Sequence, residues 1–167
     1  MNYSIHQADI TEYIRVIGKR INDDWKDVNE PIVFVCVLNG SFLFFADLVR
    51  QINLKMEIDF IRVKSYLNRE QGDLVVTKDL ETKIKGKHVF VVDDIADSGN
   101  TLNATIPFLQ VKQPKSIQTV TLLKRYNSKF TPNYYGYEIH HNEWFYGYGM
   151  DLNGHQRNLP DLLVVKK

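Results

Sequence analysis

Apolar positions along the chain fall into two alternating patterns. Ile10, Ile14, Ile17 and Ile21 recur at helical spacing, and Asp9 followed by Glu12 reads as a capping box for that helix, which should end near Asp24. IVFVCVL, residues Ile32 to Leu38, is instead a continuous, largely β-branched run. It is too short for a lone helix and apolar on both faces, as a central parallel strand requires. Asn39-Gly40-Ser41 breaks the run, and FLFFADLVR resumes as a helix. EIDFIRV (Glu57 to Val63) predicts another strand, and HVFVV (His88 to Val92) the next, with TLNATIPFLQ as the helix behind it. SIQTVTLL follows Pro114 as a further strand, and YYGYEI and WFYGYGM read as short later ones. The polar stretch KSYLNREQGDLVVTKDLETKIKGK is the one long irregular piece, and loops beyond about 12 residues are usually lids, binding loops or disorder. Strands alternating with helices imply right-handed crossovers and an α/β fold whose central, mostly parallel sheet is flanked by helices. Ligands of such sheets bind beyond the carboxyl ends of the strands. The unusual residues of this chain lie there.

Composition narrows the picture in a few places. A chain of 167 residues fits one domain able to bury an ordinary core without staples. Its net charge of +1 offers no global field for nucleic acid or membrane, so an anion site must be local. No run approaches the ~18 apolar residues of a membrane span, and no basic segment leads into an apolar stretch at the start. The expectation is a cytoplasmic protein with neither nucleic acid nor membrane as partner. Cys36, inside the apolar run, reads as a buried small hydrophobe. The adjacent His140 and His141 lack a third ligand at useful spacing, so no zinc site is expected, and the five histidines read as surface residues.

The chemistry concentrates in VFVVDDIADSGNTL, residues Val89 to Leu102. A strand delivers Asp93 and Asp94 to the sheet edge with side chains on opposite sides, so one can face a ligand while the other anchors the loop. Asp97, Ser98, Gly99, Asn100 and Thr101 then form a turn into a helix, whose free N–H groups and positive dipole end favour a phosphate. Gly99 permits a positive φ and a close backbone approach to the anion. An acid pair suited to a polyol or a metal thus stands beside a phosphate cradle, and a sugar phosphate satisfies both. An EF-hand is excluded because Ile95 would occupy its third position. A helical Asp-rich magnesium motif would need a helix before the acids, where this chain is strand-like. A plain helix-capping turn would account for Asp97 but not for three aspartates.

This stretch closely resembles the phosphoribosyl-pyrophosphate signature of type I phosphoribosyltransferases, with Ile95 and Ala96 between its acids. Three further segments are similar to the hypoxanthine-guanine members of that family: VLNGSFLFFADL to their first pyrophosphate loop and helix, VKSY to the start of their mobile lid, and LLKR, GYEI and WFYGYGMDLNGHQRNLPDLLVV to their purine-binding hood. The resemblance implies one domain over 1–167, its hood mainly about 125–167 with an amino-terminal contribution. It implies transfer of the phosphoribosyl group from phosphoribosyl pyrophosphate to hypoxanthine and guanine, giving IMP or GMP and pyrophosphate, with Mg²⁺ as cofactor.

Residue by residue, the resemblance gives Asp93 and Asp94 the ribose hydroxyls and the magnesium environment, the backbone from Asp97 to Thr101 the 5′-phosphate, and Asp97 the acid–base role at the purine nitrogen. It gives Lys124 the exocyclic oxygen of a 6-oxopurine, Trp144 the stacking face, Phe145 the base edge, Asp151 a second magnesium, Arg157 the pyrophosphate, and Ser65 and Tyr66 the lid. Asn39 stands where many members carry lysine, so Gly40 and Ser41 must bind pyrophosphate through backbone groups. A homo-oligomer, dimer or tetramer, is also implied. A second reading stays open: a regulatory domain of this fold that senses phosphoribosyl pyrophosphate or a nucleotide. It would need the phosphate cradle, but neither Asp97, Lys124 nor a lid.

Overall fold

The computed structural model describes residues 4–65, 74–140 and 144–165. Its elements in chain order are β1 (Ser4–Ile5), α1 (Gln7–Trp25), β2 (Ile32–Leu38), α2 (Phe42–Val49), β3 (Met56–Ser65), β4 (Leu74–Lys78), β5 (His88–Ala96), α3 (Asn100–Gln110), β6 (Ser116–Arg125), β7 (Tyr134–Ile139), β8 (Trp144–Tyr146) and β9 (Leu162–Val165). Six strands form a sheet in the order β4-β3-β2-β5-β6-β7, parallel throughout except for the antiparallel edge strand β4. A second, antiparallel sheet of order β1-β9-β8 is hydrogen-bonded separately and packs Ile5, Phe145 and Leu162 into the same core. β7, although late in the chain, extends the large sheet rather than the small one.

Burial explains the apolar runs. Along β2, Phe34 and Cys36 join a core shared with α1 and α2, while Val33, Val35 and Val37 join a second core under α3. Both faces of the strand are covered, which is why it carries no alternating polar residues. The four isoleucines of α1 are all buried, each worth roughly 1.5–3 kcal/mol of transfer free energy. Burial also pushes the Cys36 thiol up to about 12, so it packs as a hydrophobe.

Four local expectations change. α1 starts at Gln7, with Asp9 inside its first turn and Glu12 paired to Arg15 at 2.6 Å. The first free N–H, that of Gln7, donates to Asp161 Oδ1 at 2.8 Å, so a residue far along the chain replaces the capping box. The polar stretch after β3 contains β4, whose register runs from Ser65↔Leu74 to Arg62↔Lys78. Beyond it, buried Asp59 accepts from the N–H groups of Glu81 and Thr82 at 2.8 and 2.7 Å. Burial works to raise the pKa of Asp59, but the N–H donors of Thr82, Phe60 and Glu81 outweigh it and hold the carboxyl below its ordinary range. His88 is not a surface residue: it is buried, with Nδ1 2.7 Å from Ser116 Oγ and the edge of Trp25 against its ring. Finally, β5 continues to Ala96, so Asp93 and Asp94 lie on the strand itself.

Candidate functional site

The carboxyl ends of β2, β5 and β6 converge on one side of the large sheet. Asp93 and Asp94 close β5. Asp93 is buried, with its Oδ1 accepting from the Asp94 N–H at 3.0 Å, and half-buried Asp94 accepts from the Ile95 N–H at 2.8 Å. Burial, and then the charge of Asp94, push the Asp93 carboxyl well above the usual range. Burial raises Asp94 as well, against the Ile95 N–H, its side-chain contact with Asp93 and the nearby Arg157 guanidinium. A buried carboxylate and its half-buried neighbour resist carrying two charges unless a cation comes to them.

Behind Ala96 the chain turns through Asp97 and Ser98 to Gly99, the N-cap of α3, which adopts φ +83°. A Cβ there would stand 2.5 Å from Phe130 Cβ, so both the left-handed backbone and the space call for glycine. The turn and the start of α3 line a cavity of about 270 Å³ formed by residues 97–102 together with Asp93, Asp94 and Trp144, where the Asn100 N–H donates to Ser98 Oγ at 3.3 Å.

A contiguous cavity of about 210 Å³ is lined by Gly40, Asp94, Asp97, Arg125, Trp144, Phe145, Asp151 and Arg157, among others. Gly40 fits only as glycine, since a Cβ would reach 1.9 Å from Asp94 Oδ2. Gly149 approaches the same loop from the opposite side, where a Cβ would lie 2.2 Å from the Gly40 carbonyl oxygen. The segment carrying Gly149 is held by Arg157, which donates to the Gly149 carbonyl at 2.7 Å and pairs with Asp151 at 2.7 Å. Tyr148 donates to Asp47 of α2, fixing the same segment to the core. Trp144 projects from β8 with 61% exposure, while Phe145 beside it is buried.

Two cations end β6, and they point apart. Lys124 is buried, with Nζ 2.7 Å from Glu138 Oε2 and 3.4 Å from the Arg125 carbonyl. Arg125 holds Asp97 with Nε 2.6 Å from Oδ1 and Nη2 3.4 Å from Oδ2. Arg125 lines the ~210 Å³ cavity and also a more open one of about 450 Å³ with Asp97, Ser98, Asn100, Asn127, Lys129 and Trp144.

The structure therefore brings Gly40, Asp94, Ile95, Asp97, Trp144, Phe145, Asp151 and Arg157 to one cavity, and Asp93 with Ser98 through Thr101 to its neighbour. Ala96 is buried under the turn, and Asn39 is exposed beside Gly40. Lys124 lies one residue from the cavity wall, on the opposite side of β6 from Arg125. Ser65 ends β3, and Tyr66 lies outside the described residues. Arg125 and Glu138 went unselected in the sequence, although both sit within the quoted LLKR and GYEI segments. Their signal is charge at a strand end, legible only once strand alternation assigns each cation a face.

No cluster of three or more histidine, cysteine or acidic side chains stands ready for a metal among the described residues. The donor set nevertheless suits Mg²⁺: Asp94 and Asp151 line one cavity, Asp151 with its oxygens on Arg157 and the Gly154 N–H. That ion takes few protein oxygens and completes its shell with water and phosphate.

Residues 2–153 match the profile of the phosphoribosyl transferase domain. The chain is 37% identical to the hypoxanthine phosphoribosyltransferase of Escherichia coli K12, over 93% of this chain and 90% of that one. Among solved structures, a hypoxanthine-guanine phosphoribosyltransferase from Bacillus anthracis superposes with a TM-score of 0.90 at 35% identity, covering 99% of this chain and 98% of the other. The hypoxanthine phosphoribosyltransferase of Trypanosoma cruzi, solved in complex with its product IMP, superposes with a TM-score of 0.88 at 33% identity, covering 99% and 95%.

Proposed function

Since the chain belongs to the family of phosphoribosyl transferase domains, we propose that it is a purine-salvage enzyme that moves the phosphoribosyl group from phosphoribosyl pyrophosphate to hypoxanthine and guanine, yielding IMP or GMP and pyrophosphate. The observation that carries this reading is the pair of adjoining cavities at the carboxyl ends of β5 and β6. One is lined by the Gly99 turn, the start of α3 and the Asp93-Asp94 pair; the other is walled by Asp97, Trp144 and Phe145. A sugar phosphate fits the first and a flat base the second.

In this reading the residues divide the labour as follows. The turn at Gly99 and the first N–H groups of α3 bind the 5′-phosphate without a charged side chain. Asp93 and Asp94 hold the ribose hydroxyls. Gly40, backed by Asn39 and Ser41, offers backbone groups to the pyrophosphate. The Ser41 hydroxyl is spent on the Val37 carbonyl at 2.5 Å and is fully buried, so only its main chain can serve. Trp144 stacks on the base and Phe145 presents main-chain groups to its edge. Asp97 accepts the proton or hydrogen bond of a purine ring N–H while an unprotonated imidazole nitrogen attacks the anomeric carbon. Lys124, held by Glu138 on the other side of β6, would have to leave that carboxylate to supply the positive charge that prefers an exocyclic oxygen to an amino group. Asp94 and Asp151 would hold Mg²⁺, which when bound supplies positive charge against the departing pyrophosphate. Arg157 adds to that charge, and Ser65 and Tyr66 close over the site to exclude water. In the same reading residues 1–167 form one domain with its hood, and the enzyme works in the cytoplasm as a homo-oligomer, a dimer or a tetramer.

A coupled pyrophosphate-release assay with phosphoribosyl pyrophosphate, Mg²⁺ and each of hypoxanthine, guanine, xanthine and adenine tests the reading. Hypoxanthine or guanine should react and adenine should not, and Asp97→Asn should lower kcat by roughly 10²–10⁴-fold. Turnover of adenine alone would remove the role given to Lys124. Binding of phosphoribosyl pyrophosphate without turnover of any base would favour the sensor reading.

A further inference from the structure

The Asp97 carboxylate is the least enclosed acid of the signature, with 42% of its side chain exposed, yet it is held. The parallel ladder pairs Ile95 with Leu123 and Ala96 with Lys124. One step further along both strands, Asp97 meets Arg125. The Arg125 side chain is only 8% exposed, and its Nε and Nη2 address the two carboxylate oxygens separately, at 2.6 and 3.4 Å. Such a fork fixes the plane of a carboxylate, which a lone lysine or a water cannot do.

We propose that Arg125 is a positioning residue for the transfer reaction: it locks the rotation of the Asp97 carboxylate so that a remaining lone pair faces the base cavity both residues line. The proposal deepens the transferase reading and rests on it. The chemical need is specific. A carboxylate on a strand-to-helix turn rotates freely about its last bond, and a proton acceptor contributes only when its lone pair points at the proton. Lys124, the neighbouring cation, does not serve this role, because its ammonium is engaged on the other side of β6 by Glu138. A purely structural alternative is that the pair merely ties the end of β5 to the end of β6. The two roles separate in kinetics.

The experiment compares wild type, Arg125→Met, Arg125→Lys, Asp97→Asn and the Arg125→Met/Asp97→Asn double variant by kcat, KM for base and phosphoribosyl pyrophosphate, and melting temperature. Arg125→Met should lower kcat by roughly 100-fold, the scale of misplacing a reacting group by about 1 Å, while KM for phosphoribosyl pyrophosphate stays within about threefold. Arg125→Lys keeps the charge without the fork and should retain a deficit of roughly tenfold. In the Asp97→Asn background, Arg125→Met should change kcat by no more than about twofold, since the group it orients is gone. Equal losses in both backgrounds, or a folded Arg125→Lys with wild-type kcat, would overturn the proposal. If Arg125→Met does not fold, the lysine variant alone decides. A wild-type chain that turns over no base would overturn the transferase reading and this inference with it, whereas an active wild type with indifferent Arg125 variants overturns only the inference.

Discussion

The two halves of the proposed site are assembled by different means. The phosphate half is one uninterrupted stretch, residues 93–101, laid out by the end of β5, a turn at Gly99 and the first turn of α3. The base half is gathered from Gly40, Arg125 and residues 144–157, which no local conformation brings together. It exists because Gly149 meets Gly40 backbone to backbone, Tyr148 reaches Asp47, and Arg157 ties Asp151 to the Gly149 carbonyl. A contiguous half carries its geometry in its own residues. A gathered half borrows its geometry from the rest of the fold, so it is open to damage from positions that touch no substrate.

The largest effect on that contrast is expected at the seam. Gly40→Ala places a methyl on Asp94 Oδ2 and so displaces an acid of the phosphate half from within the base half. kcat/KM should fall by roughly 100-fold, the scale of an ångström-sized misplacement, with far-ultraviolet circular dichroism unchanged. Activity within a few-fold of wild type would mean that the halves do not share a rigid boundary. Gly99→Ala tests the contiguous half alone: the positive φ and the Phe130 contact should cost about 1–3 kcal/mol, seen as a lower denaturant midpoint at constant m-value. An unchanged midpoint would show that the turn is not pinned there. The smallest change is expected at Trp144. Its exposure leaves stability within about 0.5 kcal/mol of wild type on replacement by alanine, while KM for the base rises roughly tenfold from lost stacking. A drop in melting temperature without a change in KM would recast Trp144 as packing.

The same contrast governs how much could be read from the chain beforehand. The central strands, the three helices and the phosphate turn were legible because burial on both faces, helical spacing and glycine at a left-handed turn each leave a local mark. The start of α1 was not, because Asp161, far along the chain, supplies the group that the Asp9-to-Glu12 spacing seemed to offer. β4 hid in a polar stretch because an edge strand buries little: Val75 is exposed while Val76 packs against the core. His88 looked like a surface residue because its burial depends on Ser116 and Trp25, which strand pairing and helix packing bring to it. Arg125 and Lys124, adjacent in sequence, are separated only by the pleat of β6, and their carboxylate partners come from β7 on one side and the turn after β5 on the other. Those assignments need the sheet order, which no segment contains.

The pairing of Ser4 with Leu163 and of Ile5 with Leu162 joins the first strand of the chain to its last. A ribosome delivers residues at about 5–20 per second, amino end first. β1 therefore waits without its partner for the many seconds needed to reach β9, while β2, β3, β5 and β6 are already available to zip into the large sheet. The nascent chain can own the turn at Gly99 well before it owns the cavity walled by Trp144 and Phe145. A chain cut short before Leu162 would stay at that stage, with β1 and β8 unpaired and the core that Ile5, Phe145 and Leu162 share with α1 and β2 left open. The base half is completed only when β9 arrives to pair with both β1 and β8.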